Sequence, residues 1–321
     1  MATAARQCLL KLYEERHELE DYQSGVPRWC SGCGDNAILA AVQRLCRDEQ
    51  LRPEKTVFVS GIGCSSRFPH YMKTYGFHGI HGRALPIAEG IRMARKDLHV
   101  FVNTGDGDCC SIGAAHWIHA VRYNMNMTVF LHDNQIYGLT KMQVSPTSPK
   151  GLHSNTTPRG AFLEAMQPLT VTLGVQNASF VAQAVDWIPE LLYDIVSAAY
   201  RHRGFSFVRI VQRCPEWLPR LFEPWLHDPD RVCLLHHEDG VQPSPTLARL
   251  HRNQENHDPS DIDRAREIAS CVDPIPVGIL YRNPSVPCYE DLRETDHLRT
   301  TELIKTGLES EFDKFTVWPS A

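Results

Sequence analysis

Gly105-Asp106-Gly107-Asp108, followed further along by Asp133-Asn134-Gln135-Ile136-Tyr137-Gly138, has the residue types of a two-part clamp for a diphosphate and its magnesium ion. Glycine lets the backbone approach phosphate closely, a helix start offers unpaired N–H groups, and Asp106 supplies a hard carboxylate oxygen for the metal. Mg²⁺ takes near-octahedral oxygens, one or two of them from side chains, so a carboxylate at one strand end and the Asn134 carboxamide at the next suffice. A lone Gly-Asp-Gly is more often a plain tight turn, and a lone Asn a loop cap. Finding both, each after its own apolar run, favours a bound cofactor.

The pair resembles the thiamine diphosphate motif, in which Gly-Asp-Gly is followed after about thirty residues by Asn. That resemblance implies that Asp106, Asn134 and the main-chain carbonyl of Ile136 bind Mg²⁺, with Gly105, Gly107 and Asp108 beside the diphosphate.

Eleven cysteines, without a signal-like start or a long apolar span, lead to the expectation of a reducing cytosol with free or metal-bound thiols. Four stand out: Cys30 and Cys33 in Trp29-Cys30-Ser31-Gly32-Cys33-Gly34, Cys64 in Gly61-Ile62-Gly63-Cys64-Ser65, and Cys214 before Pro215. Four thiolates hold either zinc or an iron–sulfur cluster, and spacing alone does not choose. Cys8, Cys46, Cys109, Cys110, Cys233, Cys271 and Cys288 lack such a context and read as buried, inert thiols.

In one order, Trp-Cys-x-Gly-Cys-Gly, Gly-Ile-Gly-Cys-Ser, His-Gly-Arg-Ala-Leu-Pro from His81, Gly-Asp-Gly-Asp, Asp-Asn-x-Ile-Tyr-Gly-Leu-Thr-Lys up to Lys141, and Cys-Pro resemble the β subunit of a 2-oxoacid:ferredoxin oxidoreductase. The resemblance implies that Cys30, Cys33, Cys64 and Cys214 ligate a [4Fe-4S] cluster. It also implies that Gly63, His81, Gly82, Gly138, Leu139 and Thr140 lie against the cofactor, Leu139 pressing beneath it to keep it bent. Residues 139–147 are closest to members acting on 2-oxoglutarate, whereas pyruvate-type members tend to carry Gly where Lys141 stands. Met142 departs from a position that is usually Gly. Arg67 matches a basic position near the substrate, where a guanidinium grips a carboxylate through paired hydrogen bonds; a surface ion pair is the bland alternative.

The implied reaction is attack of the thiazolium ylide on a 2-oxoacid, loss of CO₂, passage of two electrons one at a time through the cluster to ferredoxin, and capture of the acyl group by coenzyme A, or the reverse carboxylation. The chain carries the diphosphate half alone. An α subunit must therefore supply the pyrimidine side and its glutamate, in an expected α2β2 assembly that is inactive as separated chains. Pyruvate or another 2-oxoacid is the alternative substrate. A non-redox thiamine-dependent decarboxylase or synthase has no use for four such cysteines, and a zinc-stabilised scaffold none for Asp106 with Asn134.

Such residues need strand ends to hold them. Strand-like runs at 56–60, 99–104, 127–132, 169–175 and 205–211 alternate with helical ones at 36–46, 87–95, 112–124 and 180–201. The expected fold is α/β, a parallel sheet with helices on both faces and ligands at the carboxyl ends of the strands. Residues 1–25 read as an N-terminal arm, 26–215 as the thiamine diphosphate and [4Fe-4S] binding domain, and 216–321, rich in Pro, His and charge, as an extended tail. Residues 144–158 read as a loop over the site.

A net charge of −5 with no basic stripe gives no support for nucleic acid or a membrane surface as partner, and 42% hydrophobic residues are enough for a sizeable core. Gly61-Ile62-Gly63 lacks the third glycine of a dinucleotide fingerprint, Ser66 standing there, and Pro69 interrupts the helix start. His116 and His119, three apart, read as packing histidines rather than a second metal site.

Overall fold

The computed structural model describes residues 16–238, 240–293 and 301–315. Among them nine strands form one sheet: β1 (Thr56–Ser60), β2 (Tyr75–His78), β3 (His99–Gly105), β4 (Met127–Asp133), β5 (Phe180–Val185), β6 (Phe205–Val211), β7 (Val232–His236), β8 (Gln254–Asn256) and β9 (Ile275–Arg282). Their order is β2-β1-β3-β4-β6-β5-β9-β7-β8. Neighbours run parallel except β5 with β9, so two parallel blocks meet back to back.

Helices α1 (Asp35–Asp48) and α5 (Pro189–Arg201) cover one face, over Phe58, Phe101, Phe130 and Val208. Helices α2 (Ala84–Ala94), α3 (Ala114–Tyr123), α4 (Pro168–Leu173) and α6 (Ile262–Ala269) cover the other, over Val59, Val102, Val129 and Phe207. Successive strand residues point to opposite faces, so each run feeds both cores and reads as continuously apolar. Phe58 and Phe101, register partners on β1 and β3, stack with centroids 4.9 Å apart. Truncating so buried a ring costs about 3–5 kcal/mol.

Three expectations are corrected. Residues 169–175 are not a strand: Pro168 sets the first helical φ, and Leu169, Thr172 and Leu173 form the buried face of α4. The strand is β5, inside the run expected to be wholly helical, and it is buried on both faces between β6 and β9. Short apolar runs do not separate the two states by periodicity. The segment after 216 is no extended tail either, since β7, β8 and β9 join the sheet and α6 packs on α4. Short strands interrupted by Pro, His and charge hid this. Of the expected arm, residues 1–15 lie outside the described residues, while Tyr22 is buried and its hydroxyl donates to Leu51 O at 2.8 Å. No helix among the described residues is long and apolar enough to cross a membrane.

Candidate functional site

β1, β3 and β4 are adjacent, and the chain order reverses between β1 and β3. That is where an open α/β sheet leaves a crevice at its carboxyl edge. Gly63 and Cys64 after β1, Gly105 to Asp108 after β3, Asn134 and Ile136 to Thr140 after β4, and His81 from the turn before α2 line one cavity there. Gly82 stands behind this lining and holds it through its N–H. Sequence motifs separated by as much as the whole β1–β4 span thus meet at one place.

The corner expected to take the metal is Asp106 with Asn134, both in the cavity lining. Asp106 is buried, and its Oδ2 accepts the Thr147 hydroxyl at 2.8 Å and that of Ser145. Burial first, then the neighbouring Asp133, raise its carboxyl above the usual range. The same Thr147 hydroxyl lies 2.8 Å from Asp133 Oδ1, its one proton serving either carboxylate, and Asp133 Oδ2 is balanced by Arg209 Nη2 at 2.6 Å. Asp133 thus has a guanidinium beside it whereas the partners of Asp106 are hydroxyls, a set short of positive charge that a divalent cation on Asp106 would complete. Asn134 Oδ1 accepts Ile136 N–H at 3.1 Å across Gln135, which sits at φ 60°. Ser145, Thr147, Asp133 and Arg209 escaped the sequence reading; the polar Ser145-Pro146-Thr147 run in the proline-rich loop was the available signal.

Asp108 has a different task. Its Oδ1 accepts from Ile62 N at 3.1 Å and Gly82 N at 2.7 Å, and its Oδ2 accepts from Thr104 Oγ1 at 2.8 Å. His81 Nε2 lies 3.4 Å from Oδ1. Asp108 lines the cavity with its oxygens already engaged, and it fixes three loops. Gly107 is glycine because a Cβ would sit 2.2 Å from the Tyr137 ring, whose hydroxyl donates to Gly107 O at 2.9 Å.

Of Cys30, Cys33, Cys64 and Cys214, Cys64 lines the cavity, and its sulfur and that of Cys214 would lie 3.7 and 3.8 Å from a Cβ on Gly138. Cys64 interacts electrostatically with each of the other three, and Cys214 with Cys30. Burial pushes the Cys64 thiol up to about 12 and raises those of Cys33 and Cys214. Thiolates at these positions need a metal's positive charge. Gln212 Nε2 donates to Cys33 Sγ at 3.2 Å, and Trp29 Nε1 donates to Cys64 O at 2.8 Å. Among the described residues no three His, Cys, Asp or Glu side chains converge closely enough for a single metal ion. A cubane is larger than one ion, so its thiolates stand further apart. All described cysteines are free; Cys46, Cys109, Cys110, Cys233 and Cys288 are buried, Cys271 is exposed, and Cys8 lies outside the described residues.

Arg67 and Lys141 are not part of the cavity wall. Arg67 Nη1 donates to Arg28 O at 3.2 Å, and its guanidinium lies 5.9 Å from the Tyr71 ring centroid. Lys141 and Met142 both have φ 72°, so Met142 adopts the left-handed conformation that a glycine takes without strain. The turn closes through Met142 N to Tyr137 O at 3.0 Å and leaves Leu139 half exposed at the cavity mouth.

Residues 61–210 match the family described as thiamine pyrophosphate enzyme, C-terminal TPP binding domain, and residues 247–296 match the family of the C-terminal part of the pyruvate ferredoxin oxidoreductase beta chain. The second match falls on the segment that supplies β8, α6 and β9. The chain is 51% identical over 188 residues to the 2-oxoglutarate oxidoreductase subunit KorB of Mycobacterium tuberculosis, an alignment covering 59% of this chain and 50% of that relative. It thus spans half the length of that protein. Against the 2-oxoacid:ferredoxin oxidoreductase 1, subunit beta, of Aeropyrum pernix, identity is 36% across 82% of this chain and 80% of that one. A solved 2-oxoglutarate:ferredoxin oxidoreductase from Magnetococcus marinus, with 2-oxoglutarate, coenzyme A and succinyl-CoA bound, aligns with TM-score 0.76 and 35% identity over 92% of this chain and 97% of that chain. A thiamine-binding domain, a strand order that brings the matching motifs to one cavity, and similarity along most of the chain converge, and the protein belongs to the β subunits of the 2-oxoacid:ferredoxin oxidoreductases.

Proposed function

We propose that the chain works with an α subunit in the coenzyme A-dependent oxidative decarboxylation of 2-oxoglutarate to succinyl-CoA and CO₂, or the reverse carboxylation, passing electrons through a [4Fe-4S] cluster to ferredoxin. The observation that supports this reading is the nearness of cavity and cysteines: Cys64 lines the cavity with Asp106 and Asn134, and a Cβ on Gly138 of the same lining would lie 3.7 Å from Cys64 Sγ and 3.8 Å from Cys214 Sγ. Thiamine diphosphate supplies the nucleophilic carbon and the electron sink when bound. Asp106, Asn134 and the Ile136 carbonyl hold its Mg²⁺, and the main chain at Gly63, Gly105 and Gly107, with His81 and Thr140, receives the diphosphate. Asp108 and Gly82 keep those turns in place. Leu139 supports the cofactor from below. Cys30, Cys33, Cys64 and Cys214 hold the cluster. Arg67 and Lys141, lying outside the cavity wall, meet the distal carboxylate of a substrate seated at the mouth, or reach it once the α subunit is docked over the site.

The preference for 2-oxoglutarate rests on residues 139–147 and on the names of the relatives. An α2β2 assembly in a reducing cytoplasm suits a match to a TPP binding domain and the free cysteines. The test is anaerobic co-purification with the partner subunit, followed by iron and sulfide analysis and a 2-oxoacid panel with coenzyme A and a one-electron dye. Dye reduction greatest with 2-oxoglutarate is expected. Stoichiometric zinc without iron overturns the cluster, and turnover that needs no electron acceptor favours a non-redox decarboxylase.

A further inference from the structure

Gly138 is a glycine that its own backbone does not require. Its φ lies outside the left-handed region, so an L side chain meets no conformational penalty there. Protein atoms do not crowd it either. An added Cβ would find Trp217 Cδ1 at 3.5 Å, Cys64 Sγ at 3.7 Å and Cys214 Sγ at 3.8 Å, all ordinary contact distances. Gly107 differs, because there the Tyr137 ring fills the place of the side chain. The informative feature at Gly138 is the direction of the missing Cβ, which faces two of the four cysteine sulfurs, while the residue itself lines the cofactor cavity.

We propose that Gly138 is a positioning residue for electron transfer, its bare Cα forming the wall shared by the thiamine cavity and the iron–sulfur cluster. The inference rests on the cluster assignment above and deepens it. Without a side chain at 138, the cluster seats directly against the cofactor loop, and Trp217 closes the third side of the same space. Cluster potential responds to packing, hydrogen bonding and solvent around the sulfurs, so a methyl group placed there acts on the cluster before it acts on the fold. The electron balance is unchanged by the substitution: oxidative decarboxylation releases two electrons, the cluster carries one at a time, and two molecules of a one-electron acceptor each take one.

The test compares wild type, Gly138→Ala and Gly138→Leu, each co-purified anaerobically with the partner subunit. Iron, sulfide and thiamine contents are measured, with the EPR spectrum of the dithionite-reduced cluster and its reduction potential. Gly138→Ala is expected to keep thiamine and to shift both the EPR signal and the potential, with slower single-turnover reduction of the cluster by 2-oxoglutarate. Loss of the cluster with fold and thiamine retained supports the proposal equally. Gly138→Leu is expected to lose iron and sulfide while its circular dichroism is unchanged. Trp217→Phe, which reshapes the same wall from outside, is expected to shift the potential without loss of thiamine. An Ala variant with the wild-type EPR signal and potential, or a Leu variant with full iron, overturns the role of Gly138. Wild-type protein without iron instead overturns the cluster assignment, so the two failures are distinguishable.

Discussion

Asp108 Oδ1 accepts the main-chain N–H of Gly82 at 2.7 Å and so fastens the turn before α2 to the end of β3. The second aspartate of Gly-Asp-Gly-Asp thereby holds the cavity together, while the first, Asp106, accepts the hydroxyls of Ser145 and Thr147.

The two aspartates should therefore fail differently. Asp106→Ala removes a charged oxygen from the metal corner, so thiamine diphosphate affinity falls steeply and excess Mg²⁺ restores it only in part. Asp108→Asn offers a single acceptor oxygen to three donors, and stability should fall by about 1–3 kcal/mol, with a loss of cofactor affinity that added Mg²⁺ leaves untouched. Denaturant unfolding and equilibrium dialysis at two Mg²⁺ concentrations separate the cases. A rescue of Asp108→Asn by Mg²⁺ would place it among the metal ligands.

Arg209 is the counter-charge for Asp133, which is fully buried. Arg209→Met leaves that carboxylate uncompensated and should cost about 3–5 kcal/mol, visible as a lowered denaturation midpoint. Adding Asp133→Asn should recover much of the loss. A double variant no more stable than the single one would mean that Arg209 contributes by packing.

Cys64→Ala removes one thiolate and should strip or reshape the cluster and abolish dye reduction, with thiamine binding largely kept. Metal analysis and retained thiamine read the two halves of the site separately.

Arg67→Met tests the substrate. If Arg67 meets the distal carboxylate, turnover of 2-oxoglutarate should fall far more than that of an uncharged 2-oxoacid, because removing one partner of a buried charge pair costs about 2–5 kcal/mol. Equal losses on both substrates would move selectivity to the partner subunit.

His202 predicts a pH dependence of stability. It is buried beside Ser179 Oγ at 2.9 Å, and burial, with Arg282 adding to it, holds its imidazole down to about 4. Its ordinary value is 6.5, so below that pH the unfolded chain takes up a proton that the folded chain refuses. Stability is lost as pH falls from 6.5 towards 4 and levels off below, by about 3 kcal/mol at most. His202→Gln should remove this fall, so that the variant loses less stability than wild type in that window, as measured by unfolding at pH 7, 5.5 and 4.5.

The residue types of the candidate sites were legible in the sequence because each is carried by a short contiguous motif. Asp106, Asn134 and the four cysteines are named by neighbours within a few residues, and β1, β3, β4 and β6 by apolar runs buried on both faces. Tertiary structure alone decided what crosses long sequence gaps. Ser145 and Thr147 reach Asp106 across 39 and 41 residues, and Arg209 reaches Asp133 across 76. The identity of β5 and the recruitment of β7 to β9 depended on which edges were left to pair, since a buried strand and a buried helical turn share the same apolar residues. That Asp108 ties the turns at Ile62 and Gly82 to β3 was likewise invisible. The two side chains are chemically identical, and their donors set them apart: Asp108 accepts N–H groups from two other turns, Asp106 the hydroxyls of Ser145 and Thr147.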